Sequence, residues 1–383
     1  MRYLNIAESA LIDLKAIDTA REIQGQPELW EAIYNNICSE RESISSFLDN
    51  VYPIAKKIIL TGAGTSAYIG FSLEGVIQRT TKITTVPVAT THLVSHPQDY
   101  FEPDTPTLLI SFARSGNSPE SVAAVELADK HCNDCYHLII TCNTDGDLAQ
   151  RSFKKNGYVF YLPPEANDKS LAMTGSYSGM LLSALLINDI KNIESLHSTV
   201  NKVSEYGTSL LTEFLPTIKK TAELPFDRAV FLGSGPQYGT AMESHLKLQE
   251  LSDGQIICKN DSYLGFRHGP KAVVNNKTLL VYYFSNNEDV YRYEKDLVAA
   301  MDEGKKPLFQ MGIAEKMPAG LDLDALIVLS KDGNHIDEPY LSVCNILLGQ
   351  LLGFFKSMDL GLNPDSPSLS GAISRVVKGV TIY

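Results

Sequence analysis

Short apolar runs alternate with helix-like stretches through most of the chain, and this alternation occurs twice. Apolar runs bounded by turn residues are typical of buried strands, and the periodic stretches between them are typical of helices. Together they predict the α/β class, with two tandem doubly wound, flavodoxin-like parallel-sheet domains after an N-terminal helical segment. The predicted strands are 57–61, 82–88, 108–112, 137–141, 158–162, 229–232, 279–284, 308–313 and 325–329, and the clearest predicted helices are 67–79, 240–251 and 340–356.

The two halves repeat each other at an offset of 171 residues. Gly62 and Gly64 are matched by Gly233 and Gly235, and the Thr-Leu-Leu run at 107–109 is matched by one at 278–280. A register kept over that distance indicates a duplicated domain. The segments that follow differ, because the first copy continues as Arg-Ser-Gly-Asn-Ser-Pro and the second as Ser-Asn-Asn-Glu. Only the first copy therefore carries a complete candidate anion-binding loop.

This organisation predicts five segments. They are an N-terminal helical segment (1–50), a first sheet domain that binds phosphate (51–190), a helical connector (191–225), a second sheet domain that carries the catalytic helix (226–362) and a C-terminal tail (363–383).

Charge and cysteine content limit the possible partners and compartments. A net charge of −12 argues against nucleic-acid binding, and it means that an anionic ligand must be captured by local geometry. Six cysteines are too few for a disulfide scaffold, and no second pair completes a zinc site with Cys132 and Cys135. The N-terminus lacks the form of a signal peptide, and the longest apolar run, 346–355, is too short to cross a membrane. These features predict a cytoplasmic protein.

Two loops after predicted strands are candidates for phosphate binding. Gly116 allows a close backbone approach, Ser115 and Ser118 add hydroxyls, Arg114 adds charge, and Ser118-Pro119 is a favoured helix start. Taken alone, this loop favours phosphate binding only slightly over a plain capped helix. The neighbouring loop carries Gly64, Thr65 and Ser66, and the pair favours phosphate. A dinucleotide site is disfavoured, because the next strand ends without the acidic residue that binds ribose.

A charged stripe on the predicted helix 240–251 is the second candidate. Glu243, Lys247 and Glu250 share one face, which is compatible with a solvated ion-pair ladder or with a half-buried polar seam beside Leu246 and Leu251. His268 lies in a Gly-Phe-Arg-His-Gly-Pro turn. There it is either an ordinary surface histidine or a group that moves protons near neutral pH.

These motifs resemble the sugar isomerase (SIS) domain pair, including the isomerase half of glucosamine-6-phosphate synthase. The run 111–128, the turn 265–271 and the tail 375–379 resemble more narrowly the AgaS-type proteins of galactosamine catabolism, often named tagatose-6-phosphate ketose/aldose isomerases. The resemblance covers nearly the whole chain. In one departure from the synthase, Ala113 and Arg114 replace a hydroxyl residue and Gln before the Ser-Gly.

The resemblance implies a role for each site residue. Glu250 would move the proton between C1 and C2, His268 of a partner subunit would open the sugar ring, and Lys378 would lie in a tail that closes over the substrate. Glu243 and Lys247 would be polar partners of Glu250. Contacts to the 6-phosphate or its loop are implied for Gly64, Thr65, Ser66, Arg114, Ser115, Gly116, Asn117 and Ser118, with Thr174 a weaker candidate.

The implied enzyme is a homodimer or higher homo-oligomer without metal or cofactor. It would convert galactosamine 6-phosphate to tagatose 6-phosphate and ammonia, with hydrolysis of an imine as the last step. An aldose/ketose isomerase without deamination and a non-catalytic phosphosugar sensor are the alternatives. The sensor is disfavoured because Glu250 is present and residues 1–50 are not basic.

Overall fold

The structure is a computed structural model, and it describes residues 1–376 and 379–383. Its strands are β1 (Arg2–Tyr3), β2 (Ile6–Ala7), β3 (Lys57–Thr61), β4 (Thr84–Pro87), β5 (Thr107–Ala113), β6 (Cys135–Thr141), β7 (Gly157–Tyr161), β8 (Arg228–Gly233), β9 (Ile257–Asp261), β10 (Thr278–Tyr283), β11 (Phe309–Ala314) and β12 (Ala325–Val328).

The helices carry most of the remaining chain. They are α1 (Glu8–Asp13), α2 (Ile17–Gln24), α3 (Gln26–Ser39), α4 (Arg41–Val51), α5 (Thr65–Thr81), α6 (Thr90–Ser95), α7 (Pro119–His131), α8 (Asp147–Gln150), α9 (Gly175–Asn188), α10 (His197–Leu211), α11 (Leu215–Ala222), α12 (Pro236–Leu251), α13 (Tyr263–Phe266), α14 (Glu288–Ala299) and α15 (Glu338–Asp359).

The chain divides into two compact units, each built on one large sheet. The first-sheet unit comprises Glu28–Asp168, Met173–Asn201 and Ile373–Tyr383. The second-sheet unit comprises Met1–Pro27, Lys169–Ala172 and Lys202–Ala372. The division passes through α3 and α10, so the segments 1–50 and 191–225 each contribute residues to both units.

The first sheet confirms the predicted doubly wound fold. Its order is β4-β3-β5-β6-β7, and all its pairs are parallel. Ile59, Leu109 and Ile139 on its central strands are fully buried in one apolar cluster beneath α7. The chain leaves β3 toward one edge and β5 toward the other, so the switch in direction lies between them. Ligands bind at the carboxyl ends of strands at such a switch.

The second sheet has the same strand order, read as β9-β8-β10-β11-β12, and all its pairs are also parallel. The 171-residue offset maps the first residue of β3 onto that of β8, and the first residue of β5 onto that of β10. The edge strand β9 escaped the sequence analysis. It carries Lys259, Asn260 and Asp261 in succession, and an edge strand with partly exposed residues lacks the apolar run that marks a central strand.

Helix α15 forms the centre of the second-sheet unit. It is long and apolar enough to cross a membrane by composition, yet 94% of its most apolar stretch is buried within the protein, as in the core helix of a soluble fold. Gly349 and Gly353 allow it to pass close to α12. A Cβ at Gly349 would lie 2.4 Å from Ser244 Oγ, and one at Gly353 would lie 3.0 Å from the Lys247 carbonyl oxygen. This close packing fixes the helix that carries the charged stripe.

Candidate active site

The two predicted phosphate loops follow adjacent parallel strands of the first sheet. β3 pairs with β5 through Thr61 opposite Ser111, and α5 and α7 begin directly after the two loops. Two helix N-termini, each with its positive dipole end, therefore face the same sheet edge. In the first loop a Cβ on Gly62 would lie 2.5 Å from the Cβ of Ser66, so only glycine permits this turn.

The loop after β5 is braced from behind by the segment after β6. Asn143 Nδ2 donates to the Ser115 carbonyl oxygen at 2.8 Å, and Asn117 Oδ1 accepts from the Asp147 N–H at 2.8 Å. Gly116 has a φ of 70°, a left-handed conformation that favours glycine. Sequence reasoning missed Asn143, although its position at the end of the neighbouring strand was a usable signal. The Ser115 hydroxyl is thus held on a rigid, half-buried loop.

Ser118 is the N-cap of α7, as predicted, and Pro119 is the first helical residue. The Ser118 side chain makes no capping hydrogen bond. Its hydroxyl therefore does not serve the helix and remains suited to a ligand. Thr65 and Ser66, in the first turn of α5, are buried at the same sheet edge, and Gly64 caps that helix with a positive φ.

The side chains of two other predicted phosphate ligands, Arg114 and Thr174, form hydrogen bonds within the protein. Arg114 is buried, and its Nη2 donates to the Arg375 carbonyl oxygen at 2.6 Å. Thr174 is fully buried, and its hydroxyl donates to Asp168 at 2.9 Å. Asp168 also accepts the N–H groups of Thr174, Gly175 and Ser176, so its carboxylate caps α9. We leave Thr174 out of the proposed site, because its side chain already serves this cap.

The charged stripe of α12 is a half-buried seam rather than a solvated ladder. Lys247 Nζ lies 3.2 Å from Glu243 Oε1 and 2.5 Å from Glu250 Oε2. The side chains of Glu243 and Lys247 are 0% and 1% exposed, whereas Glu250 keeps 23% exposure. Burial alone would lower the pKa of Lys247, but the two carboxylates outweigh it and raise this pKa, so the ammonium stays charged. It holds Glu250 at the solvent-facing end of the seam.

Two further candidates, His268 and Lys378, lie in a turn and in the C-terminal tail. His268 is exposed in the turn between α13 and Pro270, which is compatible with a side chain that acts outside its own unit. Lys378 lies outside the described residues. Within the described part of the chain, no group of three His, Cys, Asp or Glu residues gathers as a metal site would require.

The second sheet places a carboxyl group at the matching pair of loops. Glu294 of α14 is fully buried, and its Oε2 accepts the Ser285 N–H at 2.8 Å. Burial raises the pKa of Glu294 to about 8, although the Ser285 N–H and the Ser234 hydroxyl favour its ionised form. Ser285 follows β10, and Ser234 lies between Gly233 and Gly235 after β8. The protein's own side chain therefore accepts a hydrogen bond from the loop after β10 and lies near the loop after β8.

Comparison with known proteins identifies the family. The sequence profile described as the SIS domain matches residues 54–187. D-galactosamine-6-phosphate deaminase AgaS of Shewanella sp. (strain ANA-3) is 38% identical over 387 residues, and the alignment covers 99% of this chain and 95% of that protein.

Solved structures agree over the full length. One from Clostridium novyi NT aligns with a TM-score of 0.95 and 41% identity, covering 100% of this chain and 99% of its own. Tagatose-6-phosphate ketose/aldose isomerase from Escherichia coli aligns with a TM-score of 0.88 and 35% identity, covering 98% of each chain. The relatives named here are enzymes of sugar-phosphate chemistry. With two doubly wound sheets and these relatives, the chain belongs to the AgaS-type proteins of the sugar isomerase (SIS) domain family.

Proposed function

We propose that the protein converts D-galactosamine 6-phosphate to D-tagatose 6-phosphate and ammonia. The observation that carries this proposal is the Glu243–Lys247–Glu250 seam, because it fixes one half-exposed carboxylate in a chain whose full-length relative is a deaminase of this substrate. Such a carboxylate suits a proton transfer between adjacent carbon atoms.

The phosphate end of the substrate is assigned to the first-sheet loops. The hydroxyls of Ser115 and Ser118, together with Thr65, Ser66 and the N-termini of α5 and α7, offer hydrogen-bond donors and positive dipoles to an anion. Since the net charge of −12 repels anions at long range, this local arrangement has to supply the affinity.

The proton transfer is assigned to Glu250. Lys247 Nζ donates to its Oε2 at 2.5 Å, and 23% of the Glu250 side chain stays exposed. In the open-chain aldehyde, Glu250 removes the C2 proton and returns it to C1, while one amino proton passes from nitrogen to O1. The C1 carbonyl thereby becomes a hydroxyl group, and C2 becomes an imine. Water then adds to C2, the C–N bond breaks, and the ketose 6-phosphate and ammonia leave.

Ring opening and closure over the substrate are assigned to His268 and Lys378. The exposed His268 turn acts on the active site of another subunit, so the active enzyme is a homodimer or a higher homo-oligomer in the cytoplasm. Lys378 supplies a cation from the tail.

An ammonia assay with purified protein tests the proposal. A panel of galactosamine, glucosamine and ketose 6-phosphates is assayed side by side, and ammonia is expected from galactosamine 6-phosphate. Interconversion of aldose and ketose phosphates without ammonia would instead identify a plain isomerase, the activity named for the E. coli relative.

The variant Glu250→Gln tests the assigned proton carrier. Removing a general acid–base group lowers turnover by roughly 10²- to 10⁴-fold, whereas substrate affinity should change little. Glu223→Gln is the matched control, because Glu223 forms an i,i+4 ion pair with Lys219 but is 50% exposed. Normal ammonia release by the Glu250→Gln enzyme would refute the assignment.

A further inference from the structure

Arg114 is a buried cation that the proposed reaction scheme leaves without a clear task. It directly precedes Ser115 in the phosphate loop, and its side chain is turned to the C-terminal tail, where Nη2 meets the Arg375 carbonyl oxygen at 2.6 Å. A guanidinium cannot lose its charge in a protein, so its burial is stable only with fixed acceptors. The tail backbone provides one of these acceptors.

The side chain of Arg375 makes a second attachment, to the segment before α9. Its Nε donates to the Asp168 carbonyl oxygen at 2.8 Å, and its Nη2 donates to Asn167 Oδ1 at 2.7 Å. Asp168 is itself held rigidly, because its carboxylate caps the N-terminus of α9. The tail at Arg375 is therefore fastened by its backbone to the phosphate loop and by its side chain to the segment before α9.

We propose that Arg114 is a positioning residue that couples the phosphate loop to the C-terminal tail at Arg375, so that the loop and the tail act on the bound sugar phosphate as one unit. The proposal rests on the proposed function for the bound sugar phosphate, but the attachment can be measured without turnover. It differs from the role that the sequence suggests for Arg114, in which the guanidinium binds the phosphate directly.

Hydrogen exchange, read by mass spectrometry in the absence of substrate, tests the attachment. Arg114→Met and Arg375→Ala should each raise exchange in 373–383 by about tenfold or more, since each loses a charge-assisted hydrogen bond. Arg114→Lys, which can still reach a carbonyl, should restore part of the protection. Arg79→Ala, at an exposed position of α5, is the control. Unchanged exchange in both variants would overturn the proposal, whatever the reaction proves to be.

Kinetics distinguish positioning from phosphate binding. The two variants should lower kcat by about tenfold or more and leave the affinity for inorganic phosphate unchanged, and the double variant should lose little more than either single variant, because both break one unit. A loss of phosphate affinity in Arg114→Met without an effect of Arg375→Ala would show that Arg114 binds the phosphate itself. Thermal unfolding of each variant checks that the first-sheet unit remains folded.

Discussion

The switch points of the two sheets have the same strand order but carry different side chains. In the first sheet, the loops after β3 and β5 carry Ser66, Ser115 and Ser118, and the Ser118 hydroxyl makes no helix cap. In the second sheet, the loop after β10 donates a backbone N–H to the buried carboxyl of Glu294, and Ser234 after β8 lies near this carboxyl. One switch point offers donors to a ligand, and the other is supplied with an acid by the protein itself.

Under the proposed function, this difference means that one copy of the repeated fold binds a ligand at its switch point and the other copy fills that position with its own side chain. Loop donors at a helix N-terminus need a partner when they are buried, because an unsatisfied N–H costs about 1–3 kcal/mol. A ligand can fill that need, and so can a side chain that reaches back from the following helix. Glu294 does so from two turns into α14, a position that the loop sequence alone does not reveal.

The largest expected effect concerns the buried acid. The pKa of Glu294 is raised to about 8, so the folded state holds a proton that the unfolded state releases near pH 4.5. The free energy of unfolding should therefore fall as pH rises between about 5 and 8. Glu294→Gln has no proton to release in this range. Its free energy of unfolding relative to that of the wild type should therefore rise by on the order of 3 kcal/mol across that window, at up to about 1.4 kcal/mol per pH unit.

Denaturant unfolding at several pH values measures this difference. Glu288→Gln, at an exposed position of the same helix, is the control and should follow the wild-type curve. If the Glu294→Gln and wild-type curves stayed parallel, Glu294 would not be a protonated acid in the folded state.

A matched pair in the loops after β5 and β10 comes next. Ser115→Ala should raise KM by about 10- to 100-fold, since a hydrogen bond to a charged group contributes about 1.5–3 kcal/mol. Asn286 takes the equivalent position, and its Nδ2 donates to Glu315 Oε2 at 2.6 Å. Asn286→Ala should therefore lower the free energy of unfolding by about 2 kcal/mol and leave KM unchanged. An equal rise of KM in both variants would show that the loops after β5 and β10 both bind the substrate.

The smallest expected effects concern the two helix caps. Asn287 caps α14 by accepting the Asp289 N–H at 3.0 Å, so Asn287→Ala should cost about 1 kcal/mol of stability. Ser118 makes no such bond, so Ser118→Ala should cost much less stability but raise KM several-fold. Thermal unfolding and steady-state kinetics on both variants measure the contrast, and a large loss of stability in Ser118→Ala would show that this hydroxyl serves the helix after all.

The sequence predicted the central strands because they are apolar and bounded by turn residues, and β3 begins and ends where expected. It also placed the charged stripe of α12 on one face. It left open whether that face was solvated, because burial depends on Gly349 and Gly353 of a helix about one hundred residues away.

Two kinds of contact between polar groups escaped the sequence analysis, one long-range and one local. Arg114 looked like a phosphate ligand because its neighbours suit one, whereas its contact with Arg375 joins positions 261 residues apart in the chain. The cap that Asp168 forms on α9 lies only a few residues away in the chain, but it needs an irregular turn that no periodic pattern marks.

Binding stoichiometry shows whether one or both switch points of each chain bind the substrate. Calorimetric titration of the Glu250→Gln enzyme with galactosamine 6-phosphate avoids turnover, and we expect one site per chain. Adding Ser115→Ala should weaken that site by at least about tenfold, whereas adding Glu294→Gln should leave it unchanged. Two equivalent sites per chain, or a single site that survives Ser115→Ala and is lost with Glu294→Gln, would contradict it.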